Sequence, residues 1–393
     1  MKHFLPRTVI ILGLVSFLND TASEMITPLL PLFLTATLGA GAAIVGLVEG
    51  VAEATASILK LISGYLADRG WNTKKLVVSG YTVSNASRPL IGLASGWSLV
   101  LVLRFLDRVG KGIRTAPRDA LIAASTDEQI RGRAFGFHRA LDHSGAMFGP
   151  LLAFGLLQWG MTMEHVFMAS IVPGTALILL LVFGLKVPPR VKPEHPPARL
   201  HWKGLDARVK GLVLASGGLA LATTPEAFLV LWANQGGISV AWVPLLWAAA
   251  SGVKALVSGP AGALSDRYGR LPIVSIGWTA RVLLLIAFAW LPDGGNIVWV
   301  LFLGYAAALA FTEGAERALL GDFAPAEQQG TVFGLYHLLS GLMVLPGAVL
   351  FGVVWQWLGM NTAFAMAAVL TTIAAITLWV LAGRNSAQLH WRR

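Results

Sequence analysis

Cysteine is absent from all 393 residues, which excludes disulfide bridges and thiolate metal sites. The zinc pattern His-Glu-x-x-His is missing as well. So is a nucleotide-binding glycine loop, because Gly110-Lys111-Gly112 lacks the earlier Gly and the following Ser or Thr that such a loop needs. No cofactor and no ATP-driven chemistry on this chain are therefore expected. No nucleophile–base pair stands out, so an enzyme is not expected either. Charge is scarce: Asp, Glu, Lys and Arg make up 13% of the chain, against roughly 25% in ordinary soluble domains. The N-terminal apolar run has no small-residue cleavage site and continues past Glu24, so it reads as a retained span rather than a signal peptide.

Apolar residues take the place of the missing charge, at 55% of the chain. Long apolar stretches broken by single polar residues predict about twelve spanning helices. They fall near 7–37, 42–68, 74–95, 97–122, 133–158, 163–186, 209–234, 238–265, 271–291, 295–320, 331–356 and 361–383. The short connections on one side, such as 38–42, 158–164 and 356–362, hold no Lys or Arg. The opposite side holds Lys74, Lys75, Arg131, Arg133, Arg267, Arg270 and both tails. By the positive-inside rule that basic side is cytoplasmic, with both termini inside an inner membrane. The net charge of +10 lies mostly there, so topology accounts for it and no nucleic-acid partner is expected. Trp97, Trp159, Trp242, Trp290, Trp299 and Trp357 fall near predicted helix ends, as an interfacial belt requires.

The chain repeats itself. Gly64-Tyr65-Leu66-Ala67-Asp68-Arg69 returns 198 positions on as Gly262-Ala263-Leu264-Ser265-Asp266-Arg267. The same offset carries Ala120-Leu121 onto Ala318-Leu319, and Gly132, Phe135 and Gly136 onto Gly330, Phe333 and Gly334. One offset over three segments predicts a six-helix unit written twice, with substrate held between matched halves. Residues 187–208 carry Pro188, Pro189, Pro193, Pro196 and Pro197, and seven basic residues lie between Lys186 and Lys210. This segment is expected to be a cytoplasmic linker between bundles 1–186 and 209–393.

Twelve spans in two such bundles, joined by a basic linker, resemble the major facilitator superfamily over essentially the whole chain. The turn between helices 2 and 3 in that family reads Gly-x-Leu-Ala-Asp-Arg-x-Gly-Arg. Gly262 to Arg270 follows it to its end, whereas the first copy departs after Arg69, with Trp71 and Asn72 in place of Gly and Arg. The resemblance implies gating at Asp68, Arg69, Asp266 and Arg267. The alternative is a topological turn with solvated charges. Arg108-x-x-Lys111-Gly112-x-Arg114-Thr115-Ala116 is similar to the helix 4 motif Arg-x-x-Gln-Gly-x-Gly-Ala-Ala, with Lys111 for Gln and Arg114 for Gly. Helical spacing puts Arg104, Arg108 and Lys111 on one face, with Asp107 beside them. That group either lines a polar cavity or braces helices. Gly136, Gly145 and Gly149-Pro150 are similar to the helix 5 motif of the superfamily's drug-export branches, although Ala153 and Phe154 replace its last two glycines. Gly145, Gly149 and Pro150 are accordingly gating candidates.

Intramembrane acids are candidates for function because burying an ion is costly unless it is paired or wetted. Asp20 and Glu24 lie one turn apart in helix 1, Glu49 and Glu53 in helix 2, and Asp142 and His143 lie mid-helix 5. Low dielectric favours a neutral carboxyl and a nearby cation favours the ionised one, so alternating environments can take up and release a proton. Asp20, Glu24, Asp142 and Glu53 are the proton-coupling candidates. Glu49, Arg88, Arg108, Arg139, His143, Glu226 and Arg281 are the substrate-binding candidates. Thr21-x-x-Glu24 and Thr223-x-x-Glu226 look like repeat equivalents, as do Arg88 and Arg281. Either arginine could hold an anion or pair with a buried acid.

The reading is an all-α membrane protein of twelve transmembrane helices in two six-helix pseudo-symmetric bundles. It is expected to be a monomeric secondary transporter whose partners are a small-molecule substrate, protons and the lipid bilayer. Proton-coupled efflux of a small amphipathic or charged organic molecule is the first expectation. The alternatives are proton symport of an organic anion and a non-transporting membrane receptor.

Overall fold

The structure is a computed structural model that describes residues 5–69, 71–126, 131–185, 207–291, 294–323 and 329–383. Among these residues all regular structure is helical. The first half contains α1 (Arg7–Glu24), a short α2 (Leu30–Leu32) with a π-turn (Phe33–Thr37), α3 (Ala42–Asp68), α4 (Thr73–Leu90), α5 (Trp97–Ala124), α6 (Arg131–Gln158), α7 (Met163–Ala169) and α8 (Ile171–Leu179). The second contains α9 (Ala207–Ala222), α10 (Glu226–Gln235), α11 (Val243–Tyr268), α12 (Arg270–Trp290), α13 (Asn296–Phe323), α14 (Gln329–Leu358) and α15 (Met360–Gly383).

Nine helical stretches among the described residues are long and apolar enough to cross a bilayer. They coincide with nine of the predicted spans. The other three, 7–37, 74–95 and 97–122, are those richest in polar or ionised groups: helix 1 with Asp20 and Glu24, helix 3 with Arg88, and helix 4 with its basic stripe. Large apolar side chains elsewhere face outwards, including Trp159, Phe183, Trp290 and Trp357, which suits a lipid-facing surface.

Three spans predicted as continuous helices are segmented. Helix 1 stops at Glu24, passes through a turn over 25–29 and resumes at Leu30. Pro28 and Pro31 bring no backbone donors to that stretch, and the hydroxyl of Thr27 donates to the carbonyl of Ser23 at 3.0 Å. Helix 7 breaks between Ala222 and Glu226, where Pro225 restrains the chain and Thr223 donates to Leu219 at 2.7 Å. Span 163–186 divides at Ser170, with Pro173 in the turn that follows. In helices 1 and 7 a Glu stands beside the break, Glu24 before it and Glu226 after it.

Contacts divide the chain into two compact units. One comprises Met1–Ala40, Thr55–Pro197 and Ser239–Ala248; the other comprises Gly41–Ala54, Ala198–Ile238 and Ala249–Arg393. The first part of α3 thus groups with the second unit and the first turns of α11 with the first. Within the first unit α1 packs on α6 and α8, and α4 packs on α5. In the second unit α9 packs on α14 and α15, and α12 on α13, so the packing repeats as the sequence does. Small residues make this possible. A Cβ on Gly145 of α6 would strike the backbone of Phe17 in α1, and one on Gly347 of α14 would strike the backbone of Leu221 in α9.

Candidate functional site

The first unit buries a charge network between α4 and α5. Gly80 and Gly110 face each other's backbones so closely that neither could carry a Cβ in place. This close approach places Asp107, which is fully buried, against Arg88, with Nε 2.9 Å from Oδ1. Arg104 Nη1 lies 3.5 Å and Arg108 Nε 3.9 Å from Oδ2 of the same carboxylate. Arg88 also donates to Asn19 Oδ1 at 3.0 Å and to Asn85 Oδ1 at 3.2 Å, which ties α4 to α1. Arg114 donates to Ser84 at 2.6 Å and lies over the Tyr81 ring at 4.4 Å. Of the two options open for Arg88, the structure takes the internal one: it pairs with a buried acid.

A carboxyl cluster joins α1 to α6. Asp20 and Asp142 lie within hydrogen-bonding reach of each other. Ser16 donates to Asp142, and Asn19 donates to Asp20 at 2.8 Å. Arg139 reaches Asp142 at 3.5 Å from a largely exposed position. Arg118 of α5 approaches Ser16 at 3.5 Å and pairs with Asp119 at 3.0 Å. Two carboxylates side by side repel, and a proton or a nearby cation relieves that repulsion. Glu24, the last residue of α1, accepts a bond from Trp247 Nε1 at 2.9 Å. Gly149 packs against Thr21 and Glu24, with Pro150 buried next to it. His143 points to the exposed side of α6, and His138, four residues behind Asp142, is buried.

The second unit holds the other candidates. Glu226 opens α10 and pairs with Lys254, each side chain 34% exposed. A carboxylate in the first turn also suits the helix dipole. Arg281 donates to Thr223 at 3.1 Å. Asp266 pairs with Arg270, which also donates to Ser265 at 3.1 Å. Arg267 lies over Tyr268, as Arg69 in the first unit lies over Tyr65. The side chain of Asp68 is outside the described residues. Glu49 and Glu53 belong to the second unit. No group of three acidic or imidazole side chains among the described residues is placed to hold a metal ion.

Asn19, Asn85, Arg118, Trp247 and Lys254 are among the participants absent from the sequence-derived candidates. Arg118 had a signal, because it continues the stripe Arg104, Arg108, Lys111 and Thr115 at helical spacing. Trp247 had none, since its bond to Glu24 joins residues far apart in the chain.

A family model described as Major Facilitator Superfamily matches residues 12–345 and 237–392. An MFS-type transporter of Methanocaldococcus jannaschii is 31% identical over 381 residues, covering 95% of this chain and 94% of its own. Multidrug resistance protein MdtG of Salmonella arizonae is 24% identical over 392 residues, covering 95% of each chain. A bacterial homolog of the human lysosomal transporter Spinster, in an inward-facing and occupied conformation, superposes with a TM-score of 0.79 at 18% identity, covering 95% of this chain and 96% of its own. That likeness concerns the fold alone. Sequence, helical architecture and these relatives agree that the chain is a multi-pass membrane transporter and belongs to the major facilitator superfamily.

Proposed function

We propose that this transporter exports a small amphipathic or charged organic molecule across the inner membrane in exchange for protons, by alternating access. The observation that carries the proposal is the contact between Asp20 and Asp142, set among Ser16, Asn19, Arg118 and Arg139. A shared proton holds the pair together; withdrawal of Arg139 or Arg118 favours its retention, and their approach favours its release. Glu24, one turn beyond Asp20 and bonded to Trp247, links that proton to the break in helix 1. Asp266 with Arg270, and the corresponding Asp68 turn, act as cytoplasmic latches, and the packing at Gly145 and Gly149 lets α6 move against α1. Export is favoured by the helix 5 motif and by the relative MdtG, itself a multidrug resistance protein. The protein acts as a monomer with both termini cytoplasmic.

The test is reconstitution in inside-out liposomes with a lumenal pH dye, using a panel of lipophilic cations and amphipathic anions. Alkalinisation of the lumen on external addition of a solute is the expected result, and it disappears in Asp20→Asn and Asp142→Asn. Unchanged proton movement in both variants rejects the coupling assignment. Protons moving together with an anionic solute instead support symport, for which Arg281 is the motivating residue.

A further inference from the structure

From the second unit we infer a binding site for a monoanionic oxyanion, of the carboxylate or phosphate type, built from Arg281, Tyr305 and the helix break at Thr223–Thr224. Arg281 is 3% exposed. Its guanidinium donates to Thr223 and lies 5.9 Å from the Tyr305 ring centroid, but no carboxylate pairs with it among the described residues. The hydroxyl of Thr223 already donates to Leu219, so it serves Arg281 as an acceptor and leaves the cation unneutralised. Three further polar groups are buried without partners among the described residues: Arg281 Nε, Tyr305 Oη and Thr224 Oγ1. All are donors, and donors around a full positive charge define an anion receptor. The three elements meet at corresponding depth, for Arg281, Tyr305 and Thr224 each stand at the middle of spans Arg270–Trp290, Asn296–Glu316 and Val213–Gln235. A break in a spanning helix at that depth is where transporters place ligands.

The internal repeat shows what is missing. The offset of 198 that carries Ala120-Leu121 of α5 onto Ala318-Leu319 of α13 carries Asp107 onto Tyr305. In the first unit Arg88 meets Asp107 at 2.9 Å. In the second, Arg281 lies on α12 at an offset of 193 from Arg88 and reaches to 5.9 Å from the ring of Tyr305, the residue that the offset of 198 puts in place of Asp107. The same register replaces Arg104, Arg108 and Lys111 by Phe302, Ala306 and Leu309. The α13 stripe in register with α5 thus offers Arg281 no charge, and a lone buried ion costs several kcal/mol unless a counter-ion arrives with the cargo. An oxyanion beside Tyr305 would supply the charge that Asp107 supplies to Arg88.

Calling the ligand cargo rests on the transporter reading; its binding does not, and is measured without a proton gradient. The full chain in lipid nanodiscs is titrated with benzoate and with inorganic phosphate, with benzamide as the uncharged counterpart, at constant ionic strength. The thermal unfolding midpoint is followed. A rise with benzoate, phosphate or both, and none with benzamide, is expected; which probe acts separates the carboxylate from the phosphate type. Arg281→Gln weakens the response about ten- to a hundredfold in apparent affinity. Tyr305→Asp supplies an internal carboxylate, so it abolishes the response while unfolding at or above the wild-type temperature without anion, which separates lost binding from misfolding. No anion-specific rise with either probe, or a rise that survives in both variants, overturns the site. Neither failure touches the Asp20–Asp142 assignment, which is read by proton movement.

Discussion

Neutralising Asp107 isolates the part of the molecule that the structure describes most tightly. Three guanidinium groups lie 2.9, 3.5 and 3.9 Å from its carboxylate, which is fully buried. At an effective dielectric of about 20, each unit-charge pair at such range interacts by about 4 kcal/mol before desolvation is subtracted. Asp107→Asn removes these attractions together and leaves Arg88, Arg104 and Arg108 repelling one another. Removing one partner of a buried pair costs about 3–5 kcal/mol. The lower end applies here, because Arg88 keeps Asn19 and Asn85 as acceptors at 3.0 and 3.2 Å. The expected loss is therefore about 3 kcal/mol, read as a shift in denaturant unfolding of the purified protein in mixed micelles. A double-mutant cycle with Arg88→Gln sharpens the test: the double variant should be less destabilised than the sum of the singles by at least about 1 kcal/mol. Additive effects, or an Asp107→Asn change within about 0.5 kcal/mol as at ordinary surface positions, refute the picture of one carboxylate neutralising the α4–α5 interface.

Gly145→Ala forces a methyl group against the backbone of Phe17, and overpacking of this kind costs about 1–3 kcal/mol; transport should fall with stability, because α1 carries Asp20. Gly155→Ala in the same helix meets nothing within 4 Å and should be neutral or slightly stabilising, so equal losses at both positions would contradict the packing argument. Glu226→Gln breaks an ion pair whose members are each 34% exposed, for which a stability change below about 1 kcal/mol is expected. Transport should fall nonetheless, and a large unfolding shift with transport intact would mark the pair as a brace.

The repeat, nine of the spans and the faces of α5 were legible because they depend on residue type and spacing alone. Helix breaks were not. A hydrophobic window passes over residues 25–29 and 223–225 without registering them, since Met25, Ile26 and Leu29 are as apolar as any helix interior, and only Pro28, Pro31 and Pro225 hinted at the interruption. Side-chain pairing was the other blind spot. Spacing put Asp107 beside Arg104 and Arg108 but could not say that Arg88, from another helix, would reach it first. Nor could it say that Glu24 would find the indole of Trp247, because that bond depends on how distant segments pack.

What the two halves share and what they do not share differ in kind. The shared features act through the backbone: Gly145 on Phe17 and Gly347 on Leu221, and a break in helix 1 after Glu24 and in helix 7 before Glu226. Each fixes how closely helices approach or where one ends, and a repeat must keep these to keep its shape. The unshared features are long charged side chains on α5 whose counterparts on α13 are Phe302, Tyr305, Ala306 and Leu309. Substitution there leaves helix geometry intact while changing what the helix can bind, since Phe and Leu fill the same space without requiring a partner. The first half thereby closes its charges on one another around Asp107, and retains an acid pair at Asp20 and Asp142 that a proton can bridge. The second half has Arg281 on α12 and Tyr305 where the repeat offset puts Asp107. A duplicated bundle can thus keep one helix geometry in both copies while its α5 and α13 faces differ, basic around Asp107 in one and largely apolar around Tyr305 in the other.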